Sequence, residues 1–364
     1  MSVPGGLKLR LPYVTEELPG IGGAIRSSPE SFSVVEVPAY DPIGHGDHVY
    51  LSVTKQSVTT RDTQIALARI FSLRREDIGH AGLKDKHALT TQTFSILLPR
   101  AEPSEVAGKV EEELGVRVNW FSRHPKKLRS GHLAGNAFRV IITDLTDPET
   151  APADAARAND CIRRLGVPNF YGVQRIGYAG RNVEDGYALL RGEAREPNRW
   201  LRRYLVSSYL SYLCNLYLCE RMERGLFTRI LLGDLAKKHD TGGVFDVIDP
   251  AAEQPRLDAK QLSFTAPIYG YKMRQASGEA KELEDEVFAS SGLTIEDLRR
   301  CGAEGTRRMG RLIPEVTVEP APEGITLGFT LPAGGYATVV LREFMKNDEA
   351  ALEAEPEPEE DEED

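Results

Sequence analysis

Strand-type alternation opens and closes this chain, and helical periodicity fills its middle. Residues 33–37 and 48–54 read as strands, the second with Val49, Leu51 and Val53 on one side, because side chains of an extended chain alternate between faces. Residues 93–98 and 138–143 are further strand candidates. Residues 61–71 carry Ile65, Leu67, Ile70 and Phe71 behind Thr59 and Thr60, the pattern of a helix with a hydroxyl cap. A Pro/Asp/Thr linker at 147–154 leads into a helix ending near Leu165-Gly166. A long helix is predicted over 200–224, with Leu205, Tyr209, Leu213 and Leu216 at helical spacing, and shorter ones over 281–290 and 294–301. Residues 325–341 return to strand-like alternation. No regular strand–helix–strand period and no internal repeat is present. This order predicts an α+β protein whose mixed, largely antiparallel sheet domain is built from both ends of the chain and interrupted by a mainly helical insertion.

At 364 residues the chain has room for two such domains, and 41% hydrophobic with 27% charged residues is the balance of a soluble globular protein. No apolar run approaches the roughly 20 residues that span a bilayer, and the N-terminus lacks a signal-peptide core, so a cytoplasmic, membrane-free protein is expected. Cys161, Cys214, Cys219 and Cys301 have no Cys-x-x-Cys spacing and read as reduced thiols rather than a zinc site or a disulfide frame. The net charge of −10 is concentrated at one end: residues 348–364 hold eleven of the 55 acids and no Lys or Arg. The other 44 acids face 45 bases, so the body is near neutral and can still carry basic patches for nucleic acid. The Pro/Glu-rich tail is expected to be disordered and solubilising.

The most telling chemistry lies in Gly-Leu-Lys-Asp-Lys-His-Ala-Leu-Thr-Thr-Gln, residues 82–92. Lysines on both sides of Asp85 favour its ionised form, which suits nucleophilic attack and a polyanionic substrate. Read alone, the same triplet also fits a solvated turn. Arg123, Lys126, Lys127 and Arg129 form the densest cationic cluster, able to neutralise several phosphates. Asn136 follows in a small-residue segment, with a donor and an acceptor on one planar group that match the edge of a uracil. The run 168–175, Pro-Asn-Phe-Tyr-Gly-Val-Gln-Arg, mixes aromatics with amides and Arg175 in a way that suits nucleotide stacking or the packing of a domain join. The Gly-rich segment at 20–23 lacks the third spaced glycine of a dinucleotide site, and His45 to His48 offers no third metal ligand. No cofactor and no metal are expected.

Taken together these segments resemble the tRNA pseudouridine synthase D (TruD) family across most of residues 24–346. The resemblance is carried by residues 29–36, 81–92, 127–129 with 131–138, 167–177, and 331–338 leading to Leu341-Arg342-Glu343. It implies that Asp85 is the catalytic carboxylate and that Phe32, Asn136 and Tyr336 line a uridine pocket, with Arg26 and Lys84 as further substrate contacts. Lys126, Lys127, Arg129 and Arg175 are the candidates for the RNA backbone. Tyr336 stands where many bacterial members carry Phe, Arg26 where Lys is expected, and Ser31 where an acid is common. The implied division is a catalytic domain over 1–165 and 312–347, a TRUD insertion over 166–311, and the acidic tail over 348–364. The implied activity is isomerisation of uridine to pseudouridine in tRNA, at uridine 13 in bacteria, without cofactor or metal. The competing reading is a non-catalytic RNA-binding or chaperone protein using the same basic surface, and a third is an N-glycosidase that releases uracil. Oligomeric state is not legible.

Overall fold

The structure, a computed structural model, describes residues 3–8, 10–84, 86 and 88–347. Asp85 and the acidic tail, and with them the expectations placed on both, lie outside the described residues. The chain forms an α+β fold of two compact units. Residues 21–156 and 315–337 make a sheet unit, and the described parts of Met1–Gly20, Arg157–Pro314 and Thr338–Asp364 make a helical unit.

The sheet unit starts with β1 (Gly22–Ala24), β2 (Phe32–Pro38), β3 (His48–Gln56), α1 (Thr60–Ile70), β4 (Ile78–His80), β5 (Leu89–Leu97), α2 (Pro103–Leu114), β6 (Arg117–His124) and β7 (Leu133–Leu145). α3 (Ala151–Leu165) then carries the chain into the helical unit. There follow β8 (Val167–Pro168), α4 (Val173–Ile176), α5 (Arg181–Arg191), α6 (Arg199–Glu223), β9 (Leu235–Lys238), β10 (Val244–Asp246), α7 (Pro250–Asp258), β11 (Leu262–Ile268), α8 (Gly278–Ser290), α9 (Ile295–Arg300), β12 (Thr306–Met309) and β13 (Arg311–Leu312). The chain returns to the sheet unit for β14 (Thr317–Ala321) and β15 (Gly324–Pro332), and ends its described part in α10 (Ala337–Met345).

The nine-stranded sheet runs β14-β15-β7-β2-β5-β3-β6, with β1 on β7 and β4 on β5. Every pairing is antiparallel except β2 with β5. Pairs directly opposite in a ladder share a face. Val49, Leu51 and Val53 therefore lie with Phe94 and Ile96 on one face, and α1 and α2 cover it with Leu67, Val106 and Val110. Burying each such side chain contributes about 1.5–3 kcal/mol. Thr59 caps α1 as its spacing predicted, accepting from the Asp62 amide at 3.0 Å.

In the helical unit α6 is buried over most of its surface, with Leu205, Tyr209 and Leu213 inside and Leu216 half-buried. The unit also holds a four-stranded sheet, β10-β9-β11-β12, whose short strands carry no clear alternation in the sequence. β8 pairs with β13, so residues 167–168 and 311–312 close the segment between them at its base. The described residues before Ile21 and those after Ala337 cluster with this unit, whereas the sequence assigned them to the catalytic part. Arg342 in α10 donates to the carbonyls of Pro12 (2.9 Å) and Leu11 (2.7 Å), and the fully buried Glu343 accepts from the Thr15 amide and hydroxyl. The strand expected over 325–341 stops at Pro332; Ala337 begins a helix, because apolar residues at 339, 340, 341, 344 and 345 fit one helical stripe better than a strand.

Candidate active site

Phe32, Val34 and Glu36 point to one face of β2, the face that α1 and α2 cover farther along the sheet. Opposite them on β7 stand Val140, Phe138 and Asn136, and beyond these on β15 stand Leu327, Phe329 and Leu331. The ladder thus aligns Glu36, Asn136 and Leu331 in a single row. Phe32 is 3% exposed and meets Phe138 edge-on, centroids 6.4 Å apart, while Phe138 stacks on Phe329 at 5.4 Å. The Arg26 guanidinium lies 4.7 Å above the Phe32 ring, from a backbone with φ 66°, a left-handed conformation that is uncommon outside glycine. Asn136 is half-buried, and its Oδ1 is shielded from solvent with no hydrogen-bond partner among the described residues. A buried acceptor without a donor costs free energy, and such atoms mark places where a ligand supplies the missing bond.

Tyr336 reaches this region through a turn after β15. The Gly335 amide donates to Pro332 at 2.9 Å, and Ala333 donates to the Ala134 carbonyl at 3.1 Å, so the turn is tied to the start of β7 next to Asn136. The close approach needs Gly135, where a Cβ would collide with the Leu331 carbonyl oxygen. Tyr336 itself is half-buried.

The loop that precedes β5 is anchored through Lys84 and Gly82. Lys84 sends its ammonium onto Glu36 at 2.8 Å, with side chains 3% and 2% exposed. Glu36 uses its other oxygen to accept from the Thr93 amide at 3.2 Å. The Lys84 amide donates to Thr60 Oγ1 at 3.0 Å, Thr60 donates to Gln92 Oε1 at 3.0 Å, and Gln92 donates to the Gly82 carbonyl. Lys84 is therefore committed to Glu36 inside the protein, which differs from the substrate contact expected of it. Lys86, on the other side of Asp85, is exposed.

The basic loop 123–132 is stitched to the same region: the Gly131 amide donates to Ala81 at 2.8 Å and the Leu128 amide to Ser95 Oγ at 2.9 Å. Lys126 and Arg129 are exposed. Lys127 is half-buried and donates to the Glu76 carbonyl, and burial holds its ammonium below the usual lysine range. Arg123 is spent on the carbonyls of Gly46, Leu98 and Ala101. Arg175 belongs to the helical unit, where it donates to Ser207 Oγ at 2.9 Å and lies 5.2 Å from the Tyr204 centroid. Of the aromatics beside it in the sequence, Phe170 is fully buried, and Tyr171 is half-buried under Arg308 with its amide on Asn215.

Arg26, Phe32, Asn136 and the Lys84–Glu36 bridge thus share one side of one sheet. Glu36 and Gln92 close two of the segments that carry the resemblance and Thr60 stands at the head of α1, but none of them was assigned to the site; they are braces, and the alternation of β2, which turns Glu36 inward, was the available signal. Among the described residues no group of three or more His, Cys, Asp or Glu side chains could hold a metal ion. No helix of the described residues is long and apolar enough to cross a membrane.

Comparison with known proteins gives one answer. The family model described as tRNA pseudouridine synthase D (TruD) matches residues 8–198 and 196–344. A tRNA pseudouridine synthase D of Anaeromyxobacter sp. (strain Fw109-5) is 46% identical over 92% of this chain and 96% of its own. One from Thermus thermophilus is 44% identical over 96% of both chains. The crystal structure of a Methanosarcina mazei protein assigned to tRNA pseudouridine synthase D superposes with a TM-score of 0.75 at 27% identity, covering 96% of this chain and all of that one. The class is that of the pseudouridine synthases, which are isomerases. The chain belongs to the tRNA pseudouridine synthase D family.

Proposed function

We propose that this protein converts uridine 13 of cytoplasmic tRNA to pseudouridine, with Asp85 as the catalytic carboxylate acting on a flipped-out nucleotide. The observation that carries the reading is the buried bridge from Glu36 to Lys84, the residue before Asp85 in the sequence, on the sheet face where Asn136 holds an acceptor with no partner among the described residues. The bridge anchors Lys84, the residue that precedes Asp85 in the sequence. Lys86 keeps a cation nearby, which favours the ionised carboxylate.

In the reaction the N1–C1′ bond of uridine breaks, uracil turns, C5 bonds to C1′, C5 loses its proton and N1 takes one up, so the product is an isomer of the substrate. Asp85 assists by bonding to C1′ or by stabilising charge there while elimination proceeds. Asn136 Oδ1 accepts from the imide N3–H of the base, and its amide nitrogen donates to a uracil carbonyl. The aromatic wall of Phe32, Phe138 and Phe329, with Tyr336 beside it, keeps water from C1′, since water would capture the sugar and release the base. Flipping the nucleotide costs a few kcal/mol, which phosphate contacts from Lys126 and Arg129 offset. No water needs activation, so a second carboxylate of the glycosidase type has no part to play.

The test is tritium release from a tRNA transcript labelled at uracil C5. Wild type should release label and Asp85→Asn should not, while both bind the RNA. Binding without release by wild type would leave only the RNA-binding reading, and free uracil would mean an N-glycosidase. Mapping pseudouridine on cellular tRNA from a deletion strain checks the position: loss at uridine 13 is expected, and loss elsewhere alone would refute it.

A further inference from the structure

The helical unit carries an aromatic and arginine surface that the chemistry at the sheet does not use. Trp200 and Tyr204 stand one turn apart on α6 and stack nearly in parallel, centroids 5.4 Å apart at 9°. Arg175 lies over the same Tyr204 ring, with its Nε buried and lacking a hydrogen-bond partner among the described residues. The Tyr204 hydroxyl donates to the Gln174 carbonyl at 2.7 Å and accepts from Asn182 at 3.4 Å, so the platform is held rigidly. Close by in the chain, Tyr178 is 70% exposed, and Ala179 after it takes a left-handed φ of 51°. That conformation is costly for a residue other than glycine, and it stands beside an aromatic ring offered to solvent.

The charge pattern points the same way. α6 opens with Arg199, Arg202 and Arg203 and has no acid in its first turn. Cations at a helix N-terminus add to the positive end of its dipole, so helix stability does not account for them. Arg199 and Arg203 are exposed, lie on the Trp200 side of the helix by their spacing, and have no carboxylate partner among the described residues. Planar rings for bases, with cations spaced along them for phosphates, are what single-stranded nucleic acid requires.

We propose that this face of α6 is a second RNA contact, in which an unpaired base stacks on the Trp200–Tyr204 platform and Arg199 and Arg203 hold the flanking phosphates. The proposal takes its partner from the reading of the protein as an RNA-modifying enzyme, and it adds a recognition site remote in sequence from Asp85.

The chain has two tryptophans, so Trp120→Phe leaves Trp200 as the sole indole reporter. With an unmodified tRNA transcript as probe, the emission of that variant should be quenched in step with binding. Trp200→Ala should weaken binding about fivefold to a hundredfold, and Trp200→Phe, which keeps a ring in the stack, should restore most of it. Arg199→Gln with Arg203→Gln should reduce the slope of log affinity against log salt by about 1.4, roughly 0.7 for each lost phosphate contact. Unchanged emission at saturating RNA together with an unchanged salt slope would overturn the site. Tritium release on the same samples separates the two readings: turnover without quenching defeats this site alone, and quenching without turnover supports it while defeating the isomerase.

Discussion

Asn136 and Lys84 show how differently two polar residues can serve one site. Asn136 Oδ1 makes no hydrogen bond among the described residues, so Asn136→Ala removes no internal partner of that oxygen. Its stability should change by less than about 1 kcal/mol, while tritium release falls by two orders of magnitude or more, about 3 kcal/mol of lost transition-state binding. A variant that unfolds readily, or one that keeps turnover, would show that the amide is structural. Lys84 behaves in the opposite way. Lys84→Met leaves Glu36 as a buried charge without its cation and should cost about 3–5 kcal/mol in urea unfolding. Adding Glu36→Met should recover much of that stability without recovering turnover, because the anchor beside Asp85 is gone. If the double variant were as unstable as the single one, burial of an unpaired charge would not be the cause.

Among the elements, the crossing of α5 on α6 sets the frame of the helical unit. Gly186 makes it possible, since a Cβ there would collide with the Leu205 carbonyl. Gly186→Ala should therefore destabilise by about 1–3 kcal/mol, although alanine is intrinsically the better helix former by about 1 kcal/mol. A rise in the urea midpoint would mean that α5 shifts without cost. The longest periodic elements were legible in the sequence: α1 with its Thr59 cap, α6, and the strands β2 and β3. Less visible were β9 to β12, whose burial follows tertiary context rather than alternation, β11 being buried on both faces and β10 on neither, and α10, whose Val-Val-Leu run fits either period over so short a span.

For the whole molecule, stability should depend on pH through the histidines around the basic loop. His48 and His124 face each other across β3 and β6. Burial is the largest cause holding both imidazoles below their ordinary range; Lys127 and His124 act the same way on His48 against an opposing Asp47, and Lys126 and His45 do so on His124. Below about pH 6.5 the unfolded chain therefore takes up protons that the folded chain resists, so the stability they confer is whole above that pH and is lost as pH falls. The thermal midpoint should drop between about pH 7 and 5.5, and His124→Gln should shrink that drop. An equal drop in both proteins would exclude His124 as a source. Sequence alone settled which segments are strand or helix where their period is long, where the charge lies, and that Asp85 sits between two lysines, because these are properties of neighbours along the chain. Only the tertiary structure could turn Lys84 inward onto Glu36, set Asn136 in the row of Glu36 and Leu331, and cluster the described residues before Ile21 and after Ala337 with the helical unit. Those outcomes depend on strand register and on packing between residues far apart in sequence, and local chemistry does not encode them.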